Sequence, residues 1–195
     1  MHKKQVVIIA GPTGSGESTI TKTLLSRFPD RFRRLVTATT RSPRTGEQNK
    51  IDYYFFTKEE FLAKKESGEI LESTYVENRD AYYGTYAPDL EEKIASGHII
   101  LINPDIVGTK YYKANYDATT IFIKTPAIDD MIARIRQRNP EMSEEELVHR
   151  HEQAMKELED EPLYDYVVLN TDGKLDDAVN EVIEILRKEG YTLES

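Results

Sequence analysis

The chain has 195 residues, of which 38% are hydrophobic, a size and composition typical of one α/β domain with a single main core. Its 35 acidic residues outnumber its 26 basic ones, and the net charge of -9 argues against nucleic acid or an anionic membrane as the main partner. The absence of cysteine excludes disulfides and thiolate metal sites.

The first predicted element is a strand at Val6–Ala10, a β-branched run that ends at once in Gly11 and Pro12. Such a short apolar run is typical of a strand buried on both faces of a parallel sheet. It is too short for a signal peptide or a membrane span, so we expect a soluble, cytoplasmic protein.

Further strands and helices alternate along the rest of the chain. Apolar runs predict strands at 98–102, 119–123 and 166–169, and helical spacing predicts helices around 17–28, 87–96, 127–138 and 174–188. This alternation indicates a doubly wound parallel sheet.

Two regions depart from this alternation. Residues 35–86 are rich in Thr, Tyr and Arg and predict an inserted lobe of short strands around one helix at 58–67. Residues 137–160 are charged and helical, and are interpreted as a lid or, alternatively, as an ordinary solvated surface helix. No linker or repeat divides the chain, so we predict one domain, 1–195, with its core formed by 1–34, 87–136 and 161–195.

A glycine-rich loop follows the first strand and opens the first helix. Its residues are Gly11, Pro12, Thr13, Gly14, Ser15, Gly16, Glu17, Ser18 and Thr19. They match the phosphate-binding motif G-x-x-x-x-G-K-[ST] at every fixed position except the lysine. Glycines let backbone N–H groups turn inward, and a helix N-terminus adds partial positive charge, so we expect the loop to bind ATP phosphates and Ser18 to face Mg²⁺. The alternative is a glycine-rich turn that only starts a helix.

Glu17 occupies the lysine position of this motif. A lysine there neutralises phosphate charge, whereas a carboxylate repels it. Two unit charges about 4 Å apart interact by about 4 kcal/mol at an effective dielectric of about 20, so the reversal changes the local interaction by at most about twice that. A natural loss of activity, a rewired site and a deliberate Lys-to-Glu substitution all remain open as origins.

The inserted lobe carries a second set of motifs. They are Thr37-Ala38-Thr39-Thr40-Arg41-Ser42-Pro43-Arg44-Thr45-Gly46-Glu47, Asp52-Tyr53-Tyr54-Phe55, Ile70-Leu71-Glu72 and Tyr82-Tyr83-Gly84-Thr85. Two guanidinium groups held close by a proline suit a phosphomonoester, which each can grip through two oxygens.

These motifs resemble those of the guanylate kinase family, T-T-R-x-P-R-x-G-E, D-Y-x-F and Y-Y-G-[ST]. The resemblance spans most of the chain and implies a three-layer P-loop α/β core with a parallel sheet, an inserted GMP-binding lobe and a helical lid. By the same resemblance Arg41, Arg44, Tyr53 and Tyr83 hold the GMP phosphate, Glu72 and Thr85 read the guanine edge, and Thr37 lies nearby.

After the fourth predicted strand the family has L-D-x-D-x-Q-G, and this chain departs from it. Asp105 keeps the second carboxylate and is implied to lie near the nucleotide, but Asn103 replaces the first and Val107 replaces the glutamine. The handling of Mg²⁺ is therefore open at Asn103, which is equally interpreted as a turn former before Pro104.

The resemblance also covers the lid. Arg134 and Arg138 share one helix face, Arg150 follows in a second helix, and the family uses such arginines, with Arg41, around the transferring phosphoryl group. Solvated helix arginines are the alternative interpretation.

We therefore predict a monomeric or homodimeric kinase that binds GMP, ATP and Mg²⁺ and is impaired by Glu17. One alternative is an inactive binding module for GMP or a phosphorylated partner, as in membrane-associated guanylate-kinase scaffold proteins. Another is a kinase of changed substrate, suggested by Asn103, Val107 and the loop Glu77-Asn78-Arg79-Asp80.

Overall fold

The structure is a computed structural model that describes residues 4–193, and two sheets and seven α-helices lie within that range. The strands are β1 Val6–Ala10, β2 Phe32–Arg34, β3 Ala38–Thr39, β4 Tyr54–Phe55, β5 Ile70–Val76, β6 Ala81–Tyr86, β7 Ile99–Ile102, β8 Thr119–Lys124 and β9 Tyr166–Leu169. The helices are α1 Glu17–Arg27, α2 Lys58–Glu66, α3 Ala87–Ala95, α4 Ile106–Tyr116, α5 Ile128–Arg138, α6 Glu144–Leu158 and α7 Leu175–Lys188.

The larger sheet is parallel throughout and has the order β2-β7-β1-β8-β9. Val7 and Ile9 of the central strand face a core that α1 and α7 close, while Val6 and Ile8 face a second core that includes side chains of α3 and α4. Each fully buried Val or Ile side chain contributes about 1.5–3 kcal/mol through removal from water. The result is the predicted three-layer α/β core.

The smaller sheet has the order β4-β3-β6-β5 and is built from residues between 38 and 86. Its β3–β6 and β5–β6 pairs are antiparallel, and its β3–β4 pair is parallel. Helix α2 covers it through the fully buried Phe61, which clusters with Ala38 and Ile70. This sheet falls within the range predicted as the inserted lobe, whereas residues 1–3 and 194–195 of the predicted core lie outside the described residues.

The predicted strands and helices are present, with ends that differ by one residue at most positions. Two elements were not predicted, the short strand β2 and the helix α4. Helix α4 was missed because its sequence combines Gly108 with tyrosines and β-branched residues of modest helix propensity. Its start is fixed by Asp105, whose Oδ1 accepts a 2.9 Å hydrogen bond from the backbone N–H of Gly108.

The region predicted as a lid contains the end of α5 and all of α6. Helix α6 begins after Ser143, whose hydroxyl accepts from the backbone N–H of Glu146, and it buries Leu147 and Ala154. Within residues 4–193, no helix is both long enough and apolar enough to cross a bilayer.

Candidate active site

The glycine-rich loop joins β1 to α1 at the carboxyl edge of the parallel sheet, where ligands of such sheets usually bind. Gly16 has a φ of 96° and caps the N-terminus of α1. A Cβ atom at this position would lie 2.2 Å from Nδ2 of Asn170, and one on Gly11 would lie 2.1 Å from the carbonyl oxygen of Ile123. Only glycine allows the loop to approach its neighbours this closely.

Side chains from other elements hold the loop through its carbonyl groups. Asn170 donates to the carbonyl of Ser15 at 2.7 Å, and Arg134 donates to the carbonyls of Gly14 and Ser15 at 3.3 Å each. The first N–H groups of α1, including that of Ser18, have no acceptor within the helix. A phosphate placed at this end of α1 therefore meets unpaired donors and the positive end of the helix dipole.

Glu17 lies at the predicted lysine position and contacts its own neighbour. The hydroxyl of Ser18 donates to Oε1 of Glu17 at 2.7 Å. A second carboxylate lies close by, because Glu157 of α6 is near enough to Glu17 and to the backbone N–H of Thr13 for both to affect its pKa. Burial raises the pKa of Glu157, the hydrogen bond from Gln153 and the nearby N–H of Thr13 oppose this, and the charge of Glu17 adds to it. Two carboxylates, Glu17 and Glu157, therefore lie beside a loop that is built for anions.

A cleft of about 680 Å³ opens in front of this loop. Five arginines line it: Arg44, Arg79, Arg134, Arg138 and Arg150. Arg134 pairs with Asp172, and Arg150 lies 3.6 Å from Glu146. Among the described residues, no carboxylate forms an ion pair with Arg44, Arg79 or Arg138. The cleft therefore concentrates positive charge on a chain whose net charge is -9, as a polyphosphate site requires.

A second cavity of about 230 Å³ lies between the smaller sheet and the edge of the parallel sheet. It brings together six of the residues predicted to bind the substrate: Thr37, Tyr53, Glu72, Tyr83, Thr85 and Asp105. Their common feature is polarity in a partly enclosed space, which suits a nucleobase and a phosphate better than an apolar ligand.

Glu72 is the centre of a hydrogen-bonded chain in this cavity. Its Oε1 accepts from Oγ1 of Thr85 at 2.6 Å, and Oγ1 of Thr85 in turn lies 2.6 Å from the hydroxyl of the fully buried Tyr112. Burial raises the pKa of Glu72, the hydrogen bond from Thr85 opposes this, and the charge of Asp105 adds to it. The carboxylate is thus fixed in place, and both of its oxygens keep lone pairs that can accept from a ligand.

Two of the predicted phosphate ligands are placed differently from the rest. Arg41 is held by Glu47 through hydrogen bonds of 2.6 and 2.7 Å, and its guanidinium lies 5.0 Å from the centre of the Tyr53 ring. The hydrogen bond from Arg41, aided by the backbone N–H of Arg44, lowers the pKa of Glu47 to about 2. Arg44 lines the larger cleft, and Arg41 lines neither cavity.

Asn103 acts as a structural donor. Its Nδ2 donates to the carbonyl of Ile9 at 2.7 Å and to Oγ1 of Thr21 at 3.0 Å, so it ties the end of β7 to β1 and α1. A carboxylate in the same position has no hydrogen to donate.

Oxygen ligands for Mg²⁺ are present but sparse. Within residues 4–193, no group of three or more His, Cys, Asp or Glu residues is arranged to hold a metal. Mg²⁺ at nucleotide sites usually takes one or two protein ligands and binds mainly to substrate phosphates. The hydroxyl of Ser18 beside the loop is one such ligand, and in this structure it donates to Glu17.

Sequence reasoning missed three residues of the site. Tyr112 was missed because α4 was not predicted, and Arg79 was noted only within the loop Glu77-Asn78-Arg79-Asp80, with no role of its own. Asn170 follows β9, and the rule that strand ends of a parallel sheet meet at one edge was sufficient to find it.

Comparisons with known proteins agree with this geometry. The sequence profile of the family "Guanylate kinase" matches residues 3–189. A guanylate kinase from Synechocystis sp. is 36% identical over 188 residues, which cover 96% of this chain and 95% of the relative. A guanylate kinase from Fusobacterium nucleatum is 36% identical over 180 residues, covering 92% and 94%. The crystal structure of guanylate kinase from Anaplasma phagocytophilum is similar with a TM-score of 0.71 at 26% identity, and the match covers 97% of this chain and 89% of that one.

Proposed function

Because the chain belongs to the guanylate kinase family, we propose that it transfers the γ-phosphoryl group of ATP to GMP, giving ADP and GDP, and that Glu17 slows the transfer. The observation that carries the proposal is the partly buried Glu72, held by Thr85 in a cavity next to the cleft of the phosphate-binding loop.

Glu72 is suited to select guanine. A carboxylate accepts hydrogen bonds from guanine N1–H and N2–H₂, and adenine lacks this pair of donors. A buried acceptor left without its donor costs about 1–3 kcal/mol, so adenine is disfavoured. Tyr53 and Tyr83, whose ring centres lie 6.0 Å apart, line the same cavity and offer hydroxyls to the GMP phosphate.

The larger cleft is suited to ATP. The loop residues Gly14, Gly16, Ser18 and Thr19 line it together with the arginines. Ser18 is the residue that would hold Mg²⁺ once its hydroxyl is released from Glu17, and Mg²⁺ when bound neutralises phosphate charge. In the reaction an oxygen of the GMP phosphate bonds to the γ-phosphorus as the bond from the γ-phosphorus to the β,γ-bridging oxygen breaks, and ADP leaves.

The lid arginines contribute from the other side of the cleft. Arg138 at the end of α5 and Arg150 on α6 both line it, and guanidinium groups stabilise the charge of a transferring phosphoryl group. Helix α6 also places Glu157 near Thr13 and Glu17 of the loop. A lid in this position restricts water and so suppresses hydrolysis of ATP.

The test is product formation from ATP, Mg²⁺ and GMP, measured by chromatography on this chain and on Glu17→Lys, with AMP and UMP as control acceptors. We expect GDP from both proteins, more from Glu17→Lys by at least about tenfold, equivalent to 1.36 kcal/mol in the barrier. Equal rates contradict the inhibitory role of Glu17. Absence of GDP from both proteins contradicts the kinase function.

One observation favours an alternative function. The hydroxyl predicted to face Mg²⁺ is already bonded to Glu17, as expected of a chain that has lost catalysis and retains binding. In that case the cavity that contains Glu72 binds GMP or a phosphorylated partner without turnover. Calorimetry with GMP on a chain that makes no GDP, even as Glu17→Lys, distinguishes this alternative from the kinase.

A further inference from the structure

Arg79 lies in the connection between the two cavities. It ends the 3₁₀ turn Glu77–Arg79 between β5 and β6 of the smaller sheet. It lines the cleft of the phosphate-binding loop and also the cavity of Glu72, and among the described residues it is the only one that lines both. A phosphoryl group moving from ATP to GMP has to pass between these two cavities.

The neighbours of Arg79 leave its charge available. Its Nη1 donates a long hydrogen bond of 3.5 Å to the hydroxyl of Tyr83, and no carboxylate of the described residues pairs with it. The adjacent carboxylate, Asp80, is occupied by the hydroxyl of Tyr75. Burial opposes ionisation of Tyr83, but the nearby Arg79 and Arg41 outweigh it and lower the pKa of the Tyr83 hydroxyl.

The other arginines of the cleft are placed less suitably for this step. Arg134 is occupied by the carbonyls of the loop and by Asp172. Arg44 and Arg138 carry no ion pair within the described residues, but they line only the larger cleft. Arg79, by contrast, donates to the hydroxyl of Tyr83 in the cavity of Glu72 and also lines the cleft of the phosphate-binding loop.

We propose that Arg79 contacts the transferring phosphoryl group and supplies, from the acceptor side, the positive charge that Glu17 removes from the loop. This inference rests on the proposed kinase function. As the γ-phosphorus exchanges its bond to ADP for a bond to the GMP oxygen, negative charge spreads over its equatorial oxygens, and a guanidinium fork binds two of them at once. The cation that contacts the transferring group thus belongs to the lobe that binds GMP, and not to the loop that binds ATP.

The test is a double-mutant cycle of kcat and of KM for GMP and ATP on four proteins: the chain itself, Arg79→Ala, Glu17→Lys and the combination of both. We expect Arg79→Ala to lower kcat by at least about 100-fold with KM for GMP changed by less than about threefold, since arginine fingers contribute about 10³–10⁵ in kcat. In the Glu17→Lys background the same change should lower kcat by about tenfold or less, because the lysine restores the charge. Arg79→Lys should recover part of kcat.

Arg136→Ala is the matched control, because Arg136 is exposed on α5, pairs with Glu144 and lines neither cavity. It should leave kcat and KM unchanged. The melting temperature of Arg79→Ala should equal that of the parent, since Arg79 is exposed.

Three outcomes overturn the role of Arg79 and leave the kinase function standing. They are equal loss of kcat in both backgrounds, an effect confined to KM, and GDP formation by Glu17→Lys alone with none by the unmodified chain. If none of the four proteins makes GDP, the kinase function itself is wrong, and the role of Arg79 with it.

Discussion

The hydroxyl of Ser18 lies 2.7 Å from Oε1 of Glu17 and donates its hydrogen to it. The two side chains that the loop motif assigns to phosphate and metal therefore bond to each other. Glu17 thus acts in two ways: it places negative charge where phosphates are expected, and it engages the oxygen expected to face Mg²⁺. The two effects are separable by substitution.

Glu17→Gln removes the repulsion between the carboxylate and the ATP phosphates but adds no attraction. Glu17→Lys removes the repulsion and adds attraction. We expect ATP affinity to rise in the order Glu, Gln, Lys, because each step removes one unit of negative charge or adds one of positive charge near the phosphates. Raising the salt concentration should weaken ATP binding most in the lysine protein, since charge attraction in an open cleft is screened. Calorimetry with ATP at low and high salt measures both effects, and equal affinities for Glu and Gln would show that the carboxylate does not act by charge.

Glu72→Gln tests whether the Glu72 carboxylate selects guanine over adenine. The amide cannot accept from both guanine donors, so GMP affinity should fall by at least about tenfold and the preference over AMP should largely disappear. GMP binding to the unmodified chain should weaken as the pH falls through the raised pKa of Glu72, and this pH dependence should be absent in the variant. The exposed Glu66→Gln on α2 serves as the control in the same calorimetric titrations.

Glu72→Gln should lower GMP affinity but raise the stability of the folded protein at neutral pH. Because burial raises the pKa of Glu72 in the folded protein, the folded state binds more protons than the unfolded one, and stability falls as the pH rises through the folded pKa. Removing the carboxylate should therefore raise the melting temperature at neutral pH. The difference should vanish below about pH 4.3, the ordinary glutamate pKa, and a lower melting temperature of the variant at neutral pH would contradict the linkage.

The phosphate-binding loop and the motifs of the inserted lobe were not equally predictable from the sequence. The loop is contiguous, and its function resides in backbone geometry, so strand, glycines and helix start were predictable together. Glu72 is a single carboxylate within a strand, and only its resemblance to a family motif distinguished it. Its raised pKa depends on burial that no local pattern reports.

Residues that act through tertiary contacts were the least predictable. The motif identified Arg41, but its pairing with Glu47 depends on the turn at Gly46, whose φ is 89°. Arg79 stands in no motif, and its position between two cavities follows only from the packing of the smaller sheet on the core. A helix of poor propensity such as α4 forms because packing of Tyr112 compensates, and that contact is long-range.

Tyr112→Phe tests the support behind Glu72. The hydroxyl of Tyr112 lies 2.6 Å from Oγ1 of Thr85, and removing it leaves a buried lone pair of Thr85 unsatisfied. We expect the free energy of unfolding to fall by about 1 kcal/mol and GMP affinity to fall by less than about tenfold, because Thr85 still donates to Glu72. Urea unfolding and calorimetry measure the two quantities.

The control for Tyr112→Phe is Tyr82→Phe in the lobe, because the Tyr82 hydroxyl has no hydrogen-bond partner among the described residues. It should change neither quantity. A loss of GMP affinity by Tyr112→Phe of more than about 100-fold would mean that Tyr112 contacts the ligand, since loss of a neutral supporting hydrogen bond accounts for only about 0.5–1.5 kcal/mol.

Arg134→Ala and Arg138→Ala should separate support of the loop from contact with phosphate. Arg134 is partly buried and holds the carbonyls of Gly14, Ser15 and Asn170, so its removal should lower the free energy of unfolding by about 1–3 kcal/mol and weaken ATP binding as well. Arg138 is exposed in the cleft without an ion pair among the described residues, so its removal should lower kcat or ATP affinity and leave the melting temperature unchanged. Arg136→Ala on the same helix should change none of these quantities. Thermal unfolding with and without ATP, followed by steady-state kinetics, decides between the two roles, and equal losses of stability in the two variants would contradict the division.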